Sequence, residues 1–248
     1  MLSLVPRREE ERRAAPAAYR IRGIHAGFVA ANPRAQTSRR PGASLGPVSG
    51  DRNPRDRREA GGRTSAEALS WAIVREEAVA DCAVFQVARA HAASPRTGEI
   101  HPFYRIDAAP WCNIIPITPA GEIVMVEQYR HGSGRVTLEI PGGIVDPGET
   151  PEAAAARELW EETGFRAAGA AGVEPLGVVN PNPAIFSNRC HSFLARGVTR
   201  SGEIQNSALE ETRVLLVPEA ELEDHLRAGR IDHALVIAAL HWYALSRS

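Results

Sequence analysis

The chain has 248 residues, of which 44% are hydrophobic and 24% charged, with a formal net charge of −1. This suits one ordinary globular domain or two small ones. It excludes a membrane span, since no apolar run is long enough. It also excludes a disulfide framework or a cysteine zinc site, because Cys82, Cys112 and Cys190 are odd in number and widely spaced. Reduced thiols and the lack of a signal-peptide core predict a cytoplasmic protein.

The near-neutral charge hides two opposite halves. Residues 1–68 carry 14 Arg against 7 acids, whereas residues 69–248 carry 15 Arg against 23 acids. The first segment is rich in Arg, Pro, Gly, Ala and Ser and poor in large apolar residues. It cannot bury enough surface to offset its ordering entropy, so a disordered basic arm is expected over 1–68. Two other readings stand beside it: a mis-assigned translation start, and a nucleic-acid-binding tail, which the scarcity of aromatic residues disfavours.

Residues 83–88 read as a strand, followed by a turn near 95–98 and a second strand near 103–106 that pairs back. These place a small antiparallel sheet within 69–112. Residues 113–117 and 122–128 form a predicted hairpin through Thr118-Pro119-Ala120-Gly121. Residues 136–140 are a further strand leading into Pro141-Gly142-Gly143. Four consecutive alanines predict a helix over 152–162, with Thr150 as N-cap, Pro151 in the first turn and Gly164 ending it. Short strands follow at 176–179, 191–195 and 213–217. Two helical patterns close the chain, 218–228 and 232–245. The second is apolar almost all round and is expected to be well buried. Alternating strands and helices with a mixed sheet indicate an α/β/α sandwich over 113–248.

The helix carries the chemistry. Glu158 and Glu162 lie one turn apart on one face, with Glu161 beside them. Arg157, at i−4 of Glu161, relieves that carboxylate, whereas Arg166 lies beyond Gly164, where helical spacing ends. Three crowded carboxylates cost stability unless a cation joins them. Oxygen-only ligands suit Mg2+ or Mn2+, and Mg2+ is usually shared with substrate phosphates. The bland alternative is a solvated acidic helix face. Asp146-Pro147-Gly148 reads as a tight turn over the helix start.

Residues 143–165 also fit the pattern G-x5-E-x7-R-E-U-x-E-E-x-G-U at Gly143, Glu149, Arg157, Glu158, Leu159, Glu161, Glu162, Gly164 and Phe165, where U is a bulky apolar residue. That pattern is the signature of the Nudix hydrolases, which this chain resembles. The resemblance implies a Nudix hydrolase domain over 113–248 with the α/β/α sandwich, and a small N-terminal sheet used for homodimer formation. It implies Mg2+-dependent hydrolysis of a nucleoside diphosphate linked to another group. Glu158 and Glu162 are then the main metal ligands, Glu161 a further one, and the Gly142 carbonyl a backbone ligand. Glu149 orients the cluster, and Arg157 tethers loop to helix.

Gln128-Tyr129-Arg130 and Glu139-Ile140-Pro141-Gly142-Gly143 are similar to segments of ADP-ribose pyrophosphatases. By that likeness Arg130 grips the diphosphate and Glu139 a ribose or sugar hydroxyl. Pro181 lies where the ADP-ribose-selective branch carries a substrate-wall proline. The segment that follows resembles nucleoside-diphosphate-sugar hydrolases. The general base of this branch is a glutamate on a loop before a late strand; Glu210 is the first choice and Glu211 the second. His131 and His191 are weaker candidates near the site. Two alternatives remain: a hydrolase of another X-linked nucleoside diphosphate, and a non-catalytic Nudix-like nucleotide sensor.

Overall fold

A computed structural model describes residues 66–167, 172–207 and 210–247. The expected basic arm therefore lies, up to residue 65, outside the described residues. A single 3-10 turn, Glu67–Leu69, precedes three antiparallel strands in the order β1-β2-β3: β1 (Ala72–Asp81), β2 (Phe85–Ala93) and β3 (Ile100–Ala108). The turn between β2 and β3 is held by Ser94, whose N–H donates to the Glu99 carbonyl and whose Oγ accepts from the N–H groups of Arg96 and Thr97. The β1 strand escapes a reading by alternation because it has none. Its sequence Ala-Ile-Val-Arg-Glu-Glu-Ala-Val-Ala-Asp is exposed along nearly its whole length, so no buried face imposed a period of two.

The body is a seven-stranded mixed sheet. Its main path is β12 (Thr212–Pro218), β5 (Glu122–Arg130), β4 (Trp111–Ile117), β10 (Cys190–Arg196) and β9 (Val173–Val179). Only the β4–β10 pairing is parallel. The predicted β4–β5 hairpin forms at its tip, where Gly121 adopts φ 80 and Ile117 faces Ile123. Below that pair the two strands part. The gap is filled by β6 (Arg135–Glu139), which pairs with β5, and β7 (Gly142–Ile144), which pairs with β4. The splay matters for function, because it sets the signature loop into the middle of the sheet rather than at its edge.

One helix lies on one face and two on the other. Helix α1 (Pro151–Thr163) buries Ala154, Ala155 and Leu159 against Cys112, Ile114, Val124, Phe193 and Ala195. On the opposite face α2 (Leu222–Arg227) and α3 (Ala234–Ser246) cover Ile115, Ile117, Ile123, Met125 and Leu194. The alternation of Ile114 and Ile115 between two cores is the period-two pleat at work, and the result is the expected α/β/α sandwich. Helix α3 departs from expectation in one respect. It buries Val236, Ala239, Leu240 and Tyr243, yet Ile237 and Leu245 are exposed, since only one side of it meets the sheet. No helix among the described residues is long and apolar enough to cross a membrane. A two-residue strand after α1, β8 (Phe165–Arg166), pairs with β11 (Thr199–Arg200).

Candidate active site

Local chemistry builds the start of the site. The N–H of Glu149 donates to the Asp146 carbonyl at 3.0 Å, and Gly148 has φ 86, the positive value a type II turn demands after Pro147. Thr150 then caps α1 by accepting from the Ala153 N–H, and Pro151 opens the helix. At the far end Gly164 takes the left-handed conformation, φ 72, and its N–H returns to the Trp160 carbonyl. The predicted helix ends are thus displaced by only one residue each.

Arg157 is the hub of the loop–helix junction. Its Nε and Nη2 donate to the two Glu149 carboxylate oxygens at 3.1 and 3.0 Å, and Nη2 also reaches the Ile144 carbonyl at 3.0 Å. Its Nη1 donates to Glu158 at 2.8 Å and to Glu161 at 3.1 Å. Glu149 also accepts from the Asp146 N–H. One guanidinium therefore ties three signature acids to the loop, where spacing alone predicted relief of Glu161 only. Hydrogen bonds from Arg157, its charge and the Asp146 N–H hold the Glu149 carboxyl below the usual range. Arg166 turns away and stacks over the Trp160 ring.

Burial works against the charge of Glu162 and Glu158. Glu162 is only 5% exposed, and its Oε2 accepts a single hydrogen bond at 3.0 Å, from the Gly142 N–H. Burial, with the adjoining charges of Glu158 and Glu210, pushes its pKa up to about 8. Burial also raises the Glu158 pKa, against the opposing pull of Arg157. Glu161 is more open, its side chain 39% exposed. The Glu158 carboxylate lies against Gly143 so closely that a Cβ there would collide with it; at Gly142 a Cβ would strike the Cys112 carbonyl. Gly142 is required by the approach of backbone, whereas Gly143 leaves room for the Glu158 carboxylate where it lies. Among the described residues, no three acidic, histidine or cysteine groups converge at metal-binding spacing. Glu158 and Glu161 are instead both bonded to Arg157 Nη1.

The α1 acids open on a cavity of about 450 Å3. Glu158, Glu161, Gly142, Gly143 and Arg157 line it from the signature, Arg130 and Glu139 from the paired β5 and β6, and Glu210 from the segment before β12. Arg130 and Glu139 are locked together: Nε and Nη2 each donate at 2.8 Å to one carboxylate oxygen, and Thr137 Oγ1 adds a bond at 2.6 Å. Burial works to raise the Glu139 pKa, but Arg130 and Thr137 outweigh it and hold the carboxyl low. The fork expected to meet a diphosphate is thus half engaged by Glu139, leaving Nη1 outside that bidentate pair.

Glu210 also lines a second cavity, of about 410 Å3, with Gln128, Tyr129, Arg130, His131 and Glu211. Glu211 and His131 line only this second cavity. Pro181 and His191 line neither cavity. The loop that carries Pro181 docks instead on the N-terminal sheet, where the Ile106 N–H donates to the Ile185 carbonyl at 2.7 Å and the Ser187 N–H to the Ile106 carbonyl at 3.1 Å.

Several lining residues were invisible to motif reading: Trp111, Cys112, Asn113, Cys190, His233, Leu235 and Val236. They come from β4, β10 and the start of α3, segments far apart in sequence and without a pattern of their own. Burial pushes both thiols, Cys112 and Cys190, up to about 12, so neither is poised as a nucleophile.

Comparison with known proteins follows this geometry. The NUDIX domain profile matches residues 111–240. The ADP-ribose pyrophosphatase of Bacillus subtilis (strain 168) is 34% identical over 114 residues, 46% of this chain but 59% of that protein. The methanol dehydrogenase activator of Bacillus methanolicus is 30% identical over 139 residues, 54% of this chain and 72% of that protein. A crystal structure of an ADP compounds hydrolase shares the fold, with a TM-score of 0.61 at 24% identity, over 70% of this chain and 92% of its own.

Proposed function

The chain belongs to the Nudix family, and from that premise we propose that it is a Mg2+-dependent pyrophosphohydrolase. Its substrate is ADP-ribose or a related nucleoside diphosphate sugar, split into a nucleoside monophosphate and a sugar phosphate. The observation that carries this reading is the buried pair Glu158 and Glu162. Burial disfavours both as anions; Glu158 lines the cavity that also holds Arg130, and Glu162, one turn on, is bonded to the N–H of Gly142, which borders the same cavity. Carboxylates kept in so costly a setting fit a hard dication, which would offset the repulsion and the lost hydration. The likeness to a protein named ADP-ribose pyrophosphatase supports the choice of substrate.

Glu158 and Glu162 would hold the ion, Mn2+ serving in place of Mg2+, with Glu161 and the Gly142 carbonyl as further ligands. When bound, it supplies charge neutralisation on the phosphoryl oxygens and acidity to water. The chain's own residues do the rest. Arg157 and Glu149 hold the loop against α1. Arg130 offers Nη1 to a phosphate oxygen while its other two donors keep Glu139 in place. Glu139 accepts from a sugar hydroxyl. Glu210, which lines the cavity with Arg130, Glu158 and Glu161, takes a proton from the attacking water; Glu211, which lines only the second cavity, is the second choice. Water oxygen bonds to one phosphorus, the bond from that phosphorus to the bridging oxygen breaks, and two phosphomonoesters leave. Pro181 stiffens the loop that braces β3.

We further propose that the chain works as a homodimer in the cytoplasm. Trp71, Ile73, Val74, Ile100, Phe103 and Tyr104 all lie exposed on the N-terminal sheet or just before it, a concentration of apolar surface typical of an interface. The free cysteines suit a reducing compartment.

The test is a phosphatase-coupled assay of ADP-ribose, ADP-glucose, GDP-mannose and NADH. ADP-ribose should be hydrolysed fastest, chelator should abolish the activity, and Mg2+ should restore it. Tight binding of ADP-ribose without turnover would establish the sensor reading instead.

A further inference from the structure

The cavity has a wall that the signature does not supply. It is made by the first turn of α3, with His233 as N-cap. The Leu235 N–H donates to His233 Nδ1 at 3.2 Å. With Nδ1 accepting, the ring proton of the neutral imidazole resides on Nε2, which makes no hydrogen bond to another described residue. The ring lines the cavity that Glu139 also borders. A second observation points the same way. Asn113, on the neighbouring β4 and also lining the cavity, is 6% exposed; its Nδ2 donates to the Leu235 carbonyl at 3.3 Å, yet its Oδ1 has no partner. A buried polar atom left unmatched is costly, and Asn113 lines the same cavity as the histidine.

Resting on the pyrophosphohydrolase reading, we propose that His233 is a specificity-determining residue that donates from Nε2 to a sugar hydroxyl of the substrate on the α3 side of the cavity. A hydroxyl both accepts and donates. It suits a wall that pairs the His233 N–H with the acceptor oxygens of Glu139 and Asn113, whereas a phosphate, which only accepts, does not. The hydroxyl belongs either to the nucleoside ribose or to the terminal sugar. Asn113 is a positioning residue, tying the first turn of α3 to β4 so that the ring faces the cavity.

The experiment uses His233→Asp and His233→Asn. Both replacements are strong N-caps, so a purely structural role predicts that they behave alike. Asp removes the donor, whereas Asn keeps an N–H. The expected result is a KM for ADP-ribose raised about tenfold or more in the Asp variant and only about threefold in the Asn variant, with similar Tm in both. ADP-ribose lacking the nucleoside 2′-hydroxyl and ADP-ribose lacking the terminal 2-hydroxyl identify the source, because the analogue missing the partner should lose the difference between wild type and variant. Should the Asp variant not fold, His233→Ser, which also caps but carries no N–H, should raise KM several-fold. Equal KM in wild type, Asp and Ser variants overturns the proposal, as does an equal rise in Asp and Asn variants accompanied by equal loss of Tm. Calorimetric titration of the same proteins with ADP-ribose reads the inference separately. A wild type that binds but hydrolyses nothing defeats the pyrophosphohydrolase reading, while unchanged affinity in the variants defeats only the role of His233.

Discussion

The two sheets of this chain treat the same residue types in opposite ways. In the N-terminal sheet Glu77 and Asp107 lie near the surface beside arginines, and hydrogen bonds from Arg89 and Arg105 hold their carboxyl groups below the usual range. In the body, Glu158 and Glu162 lie on α1 against the Gly142-Gly143 segment, and burial raises both. The apolar residues follow the same division. From Cys112 to Ile117 every residue of β4 is buried, whereas β1 is exposed almost throughout. A sheet covered on both faces can keep a carboxylate in an environment where it needs a cation. An uncovered sheet cannot, and its apolar face is free for another surface. Burial, not composition, separates the acids proposed to hold the ion from the rest.

The contrast can be broken most directly at Glu162. Glu162→Gln should lower turnover by on the order of 10^3-fold with the fold retained, while Glu77→Gln should leave turnover nearly unchanged; steady-state rates and circular dichroism check both. Wild-type rates in the Glu162 variant would move the chemistry away from the buried acids.

The uncovered sheet is probed next. Phe103→Asp places a charge on its exposed face and should convert dimer to monomer in light scattering, with little change in the body's melting. A dimer that persists would assign that face no partner.

Arg130→Ala should raise KM about tenfold and cost roughly 1–3 kcal/mol, because Glu139, its side chain 3% exposed, is left with only Thr137. The cost is reduced by the partial exposure of Arg130 itself, 39%. The surface counterpart Arg105→Ala should cost under about 1 kcal/mol in chemical denaturation.

A last test lies in the pH dependence of metal-free stability. Glu162 has a folded pKa near 8 against 4.5 for the ordinary group. Its stabilising contribution is complete below pH 4.5 and is lost as pH rises towards 8. Glu162→Gln should therefore melt higher than wild type at pH 8 without metal, and this advantage should shrink towards pH 4.5. Mg2+ should raise wild type more than the variant. For Glu77 and Glu149, whose pKa values are lowered, the sign reverses: their contribution is present above the ordinary carboxylate range and disappears on acidification. A pH-independent difference between wild type and the Glu162 variant would exclude the burial argument.

The helix of the signature could be read closely because its cues are local. Thr150, Pro151, four alanines and Gly164 act within a few residues, and the structure moves each end by one position. The hairpin tip at Gly121 was legible for the same reason. Strand β1 was not, since exposure on both faces leaves no periodicity. Nor was the half engagement of Arg130 by Glu139, which needs β5 and β6 in register nine residues apart. The α3 wall with His233 is separated from the signature by most of the body and carries no motif.

Sequence by itself determined the family and the local layout of its signature: which carboxylates share a helix face and which glycines flank them. That information is local, carried by spacing along one turn. Tertiary structure alone decided which acid is stressed and which is relieved. It places Glu162 against the Gly142 N–H, gives Arg157 three carboxylates to hold, and brings Glu210, Arg130 and His233 around one cavity. Desolvation depends on everything that surrounds a group, and only packing of distant segments supplies those surroundings.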